Sequence, residues 1–163
     1  VTAVTAALRP MTRPDLDVVV PLEQELFAGD PPWSAAQFES ELAGVPDVRW
    51  YVVAEAGGVV VGYAGLQAPS HPGDAADVLT IAVAPSSQRG GVGTLLMTAL
   101  ETEARRRGAG ELLLEVRADN DPALAFYARH GFERIAVRRK YYGGGRDGLV
   151  LRKWLRAAPA AEG

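Results

Sequence analysis

Between Gln88 and Thr94 the chain reads Gln-Arg-Gly-Gly-Val-Gly-Thr, and behind it come Leu95, Leu96 and Met97, residues that favour helix. Glycines at a helix entry leave backbone N–H groups uncovered, so an anion can approach the positive end of the helix dipole. A phosphate-bearing ligand suits this turn. Further on, Glu115 interrupts an apolar run, Glu111 to Val116. A carboxylate placed there serves as a general base if it faces a cleft, because desolvation raises its pKa. The alternative is an outward-facing carboxylate paired with a neighbouring cation, and period-two alternation does not separate the two.

The elements that must position these groups follow from periodicity and punctuation. Val78, Leu79, Ile81 and Val83 form a mostly apolar run rich in β-branched residues that predicts a strand buried on both faces, stopped by Pro85. The helix after the glycine turn runs through Leu100 and Ala104 to Arg105-Arg106-Arg107-Gly108, a basic last turn matched to the negative helix end. Glu111 to Val116 is a second buried strand. Asp121-Pro122 then opens a short helix, Ala123 to His130, closed by Gly131.

Upstream, Ala6 to Met11 predicts a strand, and Thr12 with Asp15 an approximate capping box. From Asp15 to Phe27, Leu16, Val19, Val20, Glu23, Leu26 and Phe27 recur at helical spacing despite Pro21. Ser34 caps a helix from Ala35 to Leu42. Arg49 to Ala56 and Val59 to Leu66 flank Gly57-Gly58 as a hairpin, with Ala68 to Ala76 as a loop. Phe132 to about Tyr142 and Gly148 to Trp154 form the last hairpin. The class is mixed α/β, with antiparallel hairpins at both ends and at least one βαβ crossover.

The chain has 163 residues, 48% of them hydrophobic, enough for one domain over residues 1–156, with a disordered tail expected at 157–163. The net charge of −3 supplies no global field for nucleic acid or anionic membrane. With no cysteine, disulfides, thiolate metal sites and cysteine nucleophiles are excluded, and a reducing cytoplasm is the expected compartment. No apolar run reaches membrane-spanning length. His71 and His130 are isolated, so no metal is expected. Nothing in the residues signals an oligomeric state.

Two phosphate cradles can be tested against the glycine turn. A Walker loop requires a lysine after its last glycine, and none follows here. A dinucleotide fingerprint fits Gly91-Val92-Gly93, with Glu115 about 20 residues on where a ribose-binding acid sits. However, Leu96 occupies the third glycine position, and the turn starts well after Val83. The remaining signature is Gln88-x-x-Gly91-x-Gly93. With it, in order, come Ile81-Ala82-Val83, Leu114-Glu115-Val116-Arg117, Asn120, Ala125-Phe126-Tyr127, Gly131-Phe132 and Arg138-Arg139-Lys140-Tyr141-Tyr142, and upstream Pro32-Trp33-Ser34. In these residues the chain resembles the GNAT acetyltransferase superfamily, and within it the bacterial ribosomal-protein-alanine N-acetyltransferases.

The resemblance implies a GNAT-like twisted mixed sheet flanked by helices and a direct transfer of acetyl from acetyl-CoA to an amine. It places the cofactor's pyrophosphate on the turn Gln88, Arg89, Gly90, Gly91, Val92, Gly93 and Thr94, and the pantetheine arm along Ile81, Ala82 and Val83. A backbone N–H near Val83 is the natural oxyanion donor. Asn120 matches a cofactor-binding position, its alternative role being to cap the next helix. Glu115 becomes the general base and Tyr127 the general acid for the CoA thiolate; as alternatives, Tyr127 packs in the core. Tyr141 and Tyr142 resemble the peptide-binding segment opposite Trp33, with cross-strand aromatic packing as the other reading. The Gly143-Gly144-Gly145 turn departs from the branch and leaves acceptor selectivity open.

An α-amino group with pKa near 8 is roughly one-tenth neutral at pH 7, whereas lysine near 10.4 is almost wholly charged. A modest carboxylate base therefore suits a protein N-terminus, and the resemblance implies the N-terminal alanine of a small-subunit ribosomal protein as acceptor. Lysine or a small amine is the second enzyme reading. A non-catalytic acyl-CoA or dinucleotide-binding module is the reading from another class.

Overall fold

The computed structural model describes residues 5–27, 32–88, 90–142 and 145–155. Arg89, Gly143, Gly144 and the expected tail lie outside them. Seven strands form one sheet in the order β1-β2-β3-β4-β5-β7-β6. The elements are β1 (Ala7–Pro10), α1 (Leu16–Leu26), α2 (Ala35–Leu42), β2 (Arg49–Ala56), β3 (Val59–Gln67), β4 (Ala75–Val83), α3 (Val92–Arg106), β5 (Glu111–Arg117), α4 (Asp121–Arg129), β6 (Glu133–Tyr142) and β7 (Arg146–Trp154).

Local chemistry explains most of the boundaries. The Asp15 carboxylate accepts from the Thr12 N–H at 2.7 Å and from Arg9 at 2.7 and 2.8 Å, which anchors the start of α1 to β1. These hydrogen bonds, the one from Arg9 first, hold the Asp15 pKa down to about 2. Ser34 and Gln37 cap each other reciprocally at α2. Gly57 and Gly58 both have positive φ, as a two-residue hairpin turn requires. The helix α1 continues through Pro21.

Two boundaries differ from the sequence reading. The strand β4 starts at Ala75, inside the expected loop, because Ala75, Ala76 and Asp77 pair in parallel with Glu111, Leu112 and Leu113. Alanine and aspartate are poor strand formers, and the ladder overrides their propensity. The strand β7 starts at Arg146, where it pairs with Tyr142.

Helices cover both faces. On one face Leu96, Met97, Leu100 and Ala104 of α3 are fully buried with Leu66, Leu112 and Ala64, and α4 packs on the same side. On the other, Val19 of α1 and Phe38 of α2 bury against Tyr51, Val53 and Tyr63. Strand side chains alternate between these faces. Leu114 and Val116 point to the α3 face, so Glu115 points to the α1/α2 face.

The parallel pair β4/β5 makes three rungs only, Ala75–Asp77 against Glu111–Leu113. Beyond them β4 stays paired with β3 alone and β5 with β7, so a gap opens between Val78–Val83 and Leu114–Arg117. A β-bulge at Leu79 shifts the β3/β4 register: Leu66 faces Val78 but Gly65 faces Thr80. After the bulge, Ala84 donates its N–H to Val61 O at 2.8 Å. Amides alternate along a strand, so the Val83 N–H points away from β3, into the gap.

The helix α3 lies close on β3 at Gly62. A Cβ there would meet Ala82 O at 2.9 Å, Leu96 Cδ1 at 3.1 Å and Val92 Cγ1 at 3.2 Å. Gly62→Ala should therefore destabilise the fold by about 1–3 kcal/mol, read as a lower urea midpoint with an unchanged slope.

Candidate active site

The gap between β4 and β5 is bordered by the glycine turn. Gly91, at φ 88, is the residue before α3, and a Cβ on it would find nothing within 4 Å. The backbone there is open to a ligand at the positive end of a 15-residue helix. Val92 is buried in the core, so it offers the ligand its N–H alone. Gln88 donates its side-chain amide to Val83 O at 3.1 Å, which ties the turn to the end of β4. Gly90 is exposed, and Arg89 is not described. The Thr94 hydroxyl lies 3.2 Å from His130 Nε2, linking α3 to the end of α4. Gly93 lets α4 approach, since a Cβ there would be 3.0 Å from the Phe126 ring. Ile81 and Val83 pack toward α3, while Ala82 is buried on the opposite face.

Asn120 caps α4, its side chain accepting the Ala123 N–H at 3.2 Å. That bond uses the carbonyl end of the amide and leaves the NH2 end as a donor. Tyr127 is half-buried on α4, edge-on to Phe126 at 5.5 Å and to Phe132 at 5.7 Å. It packs against the α3-face core. Glu115 sits across the sheet from it, on the α1/α2 face, and pairs with Arg138 of β6 at 3.2 Å. Its side chain keeps 32% exposure. The structure thus gives Glu115 the cationic partner of the alternative reading, and on a face that borders the gap.

The α1/α2 face is shaped by a buried carboxylate that the sequence flagged only by its place on the apolar stripe of α1. Glu23 accepts from the Tyr63 hydroxyl at 2.6 Å and from the Trp33 N–H at 3.4 Å. Trp33 stacks edge-on to Phe38 at 5.1 Å, and Phe38 to Tyr63 at 6.1 Å. The Trp33 side is therefore fixed to β3. Burial raises the Glu23 pKa against the opposing pull of its two donors, and burial also pushes the Tyr63 phenol up. At the far edge, Tyr141 and Tyr142 end β6, where the register with β7 breaks between Arg138 and Tyr142. Lys140 there has φ 53, and its N–H donates to Asp147 Oδ1 at 2.9 Å. The elements carrying Trp33 and the tyrosines thus lie on opposite sides of the strands that border the gap.

Asp77 falls between the expected loop, which ends at Ala76, and the expected strand, which starts at Val78, so the sequence reading gives it no role. It forms the last rung of the β4/β5 ladder, opposite Leu113, and points to the Glu115 face. Burial first, then the charge of Glu115, raises its pKa. A lone carboxylate in an apolar run, the signal that marked Glu115, was present here too.

A family model described as "Acetyltransferase (GNAT) family" matches residues 16–132. The chain belongs to the GNAT acetyltransferase family. It is 42% identical over 145 residues to the N-alpha-acetyltransferase RimI of Mycobacterium tuberculosis, covering 88% of this chain and 89% of that one. Among solved structures it is similar to Ard1 from Thermoplasma volcanium, with TM-score 0.85, 26% identity and coverage of 93% and 99%. It is also similar to the ribosomal-protein-S18-alanine N-acetyltransferase of Escherichia coli, with TM-score 0.80, 28% identity and coverage of 96% and 98%. This GNAT protein is an acetyl-CoA-dependent N-acetyltransferase, and the dinucleotide reading falls.

The residues fit acetyl-CoA. The open glycine backbone at Gly91 suits a pyrophosphate, and the Val83 N–H directed into the gap suits a thioester oxygen. No helix of the described residues is long and apolar enough to cross a membrane.

The buried carboxylate of this GNAT fold makes a pH-dependent prediction. A raised pKa means the folded state holds the Glu23 proton more tightly than the unfolded chain, so stability falls as pH rises from the ordinary 4.5 through the raised value. Glu23→Gln lacks this titration. The stability of the variant relative to the parent should therefore increase from pH 4.5 to 8 in urea melts.

Proposed function

We propose that this GNAT enzyme acetylates the N-terminal α-amino group of a protein, with the N-terminal alanine of a small-subunit ribosomal protein as acceptor. The observation that carries the reading is the division of labour between the two faces. Glu115 and Tyr127 lie on opposite faces of the sheet, on elements that border the same gap. The names of the relatives support the acceptor.

On the α3 face, backbone N–H groups of the glycine turn bind the pyrophosphate, and the Asn120 amide helps orient the ligand. Acetyl-CoA supplies the activated acyl group. The Val83 N–H donates to the carbonyl oxygen as it gains negative charge. The acceptor chain comes from the α1/α2 face, between Trp33 and the Tyr141-Tyr142 end of β6. Glu115, held at the mouth by Arg138, takes the ammonium proton, directly or through one water. The lone pair so freed attacks the carbonyl carbon. Tyr127, from the other face, gives its proton to the departing thiolate and recovers one from solvent.

A low demand on the base favours an α-amine over lysine. In an acetylation assay, peptides with free N-terminal alanine should turn over at least tenfold faster than N-blocked lysine peptides, with the acetyl group mapped to the first residue. Preference for the blocked set would overturn the acceptor assignment. Glu115→Gln and Tyr127→Phe should each lower kcat by roughly 10²-fold or more while CoA affinity stays within twofold.

A further inference from the structure

We propose that Asp77 is a second carboxylate of the acceptor site, which holds the incoming α-ammonium at the apex of the gap and forms one proton-accepting pair with Glu115. The inference rests on the reading of Glu115 as base.

The argument begins with position. Cross-strand partners share a face, and the registers Arg49 with Gln67, Gln67 with Asp77 and Asp77 with Leu113 form one row on the α1/α2 face. Asp77 stands in that row at the point where β4 and β5 part. Glu115 is two residues further along β5 on the same face, a diagonal neighbour.

The partners of the surrounding charges sharpen the point. Arg138 is engaged by Glu115 at 3.2 Å, and Arg49 by Glu41 at 2.8 Å. Asp77 is half-buried and takes no hydrogen bond or ion pair among the described residues. A half-buried carboxylate without a partner is costly unless a ligand cation meets it. Asp77, Glu115 and Arg138 together carry one negative charge when ionised, and Arg49 with Glu41 carries none. A single ammonium neutralises the group. The charges felt by Asp77 are those of Glu115 from β5 and Arg49 from β2, and burial acts in the same direction as Glu115.

The transfer balances. The ammonium gives one proton to the Asp77–Glu115 pair, and its lone pair forms the C–N bond as the C–S bond breaks. The proton on the pair passes to water. The second amine proton, lost as the amide forms, balances the one Tyr127 gives to the thiolate.

The test is Asp77→Asn, an isosteric change, with Asp77→Glu and Glu115→Gln beside it. For each, kcat and KM for an alanine-initiated peptide are measured from pH 6 to 9, with CoA binding by calorimetry and the melting temperature. For Asp77→Asn we expect peptide KM to rise at least tenfold. The acid limb of kcat should move to lower pH, because the titration of Asp77, whose pKa burial raises, is removed. CoA affinity and melting temperature should stay unchanged, and Asp77→Glu should recover KM to within about threefold. Parental KM and an unmoved limb in Asp77→Asn, with Glu115→Gln inactive, would overturn the inference and leave Glu115 as sole base. So would Asp77→Glu behaving as Asp77→Asn does. If Glu115→Gln keeps full activity, the base assignment itself fails.

Discussion

The parallel ladder between β4 and β5 lasts three rungs, and the shortness of that pairing is the constraint from which the site follows. A full ladder would use the inner backbone of both strands for each other, and no cleft would cross the sheet. Where it stops, the facing amides of Val78–Val83 become available to a ligand strand in the gap. The two outer pairings, β3 with β4 and β5 with β7, hold the diverging halves apart. Helices then cap the gap from one side, with α3 bringing its N-terminus and α4 bringing Tyr127.

The opposite face is organised by polar contacts instead. Glu23, Tyr63 and the backbone of Trp33 form a buried cluster in which each donor meets the same carboxylate. Such a group is expensive to bury and adds little net stability over an apolar replacement. Its value is geometric, since it fixes the segment before α2 against β3. Asp77 and Glu115 lie on the same face, Glu115 beside Arg138. Both faces carry an apolar core, with Leu96, Met97 and Leu100 fully buried on one and Val19, Val53 and Phe38 on the other, and the polar cluster is set into the second.

Much of this was legible in the residues. The helices were, because Ser34, Thr12 with Asp15 and the glycines at 91, 108 and 131 punctuate them. The hairpin at Gly57-Gly58 was too, since its turn chemistry is local. What was not legible depends on contacts distant in sequence. The start of β4 rests on pairing with Glu111–Leu113, which no property of Ala75 or Asp77 announces, and Asp77 was lost with it. The direction of Glu115 follows from Leu114 and Val116 packing on the α3 face, which alternation alone does not predict. The anchoring of Trp33 to a carboxylate ten residues earlier needed the helix to be placed on the sheet.

The bulge at Leu79 sets the parity of everything after it. Along an unbroken strand, a residue six places past Asp77 would send its N–H to the same side as Asp77 does. One extra residue reverses that count, so the amide of Val83 faces the gap instead of β3, and the side chains of Ile81 and Val83 turn to α3 with it. Deleting a single residue from this bend would leave the sheet, its order and its core composition nearly the same on paper. It would also turn the Val83 N–H round to face a neighbouring strand.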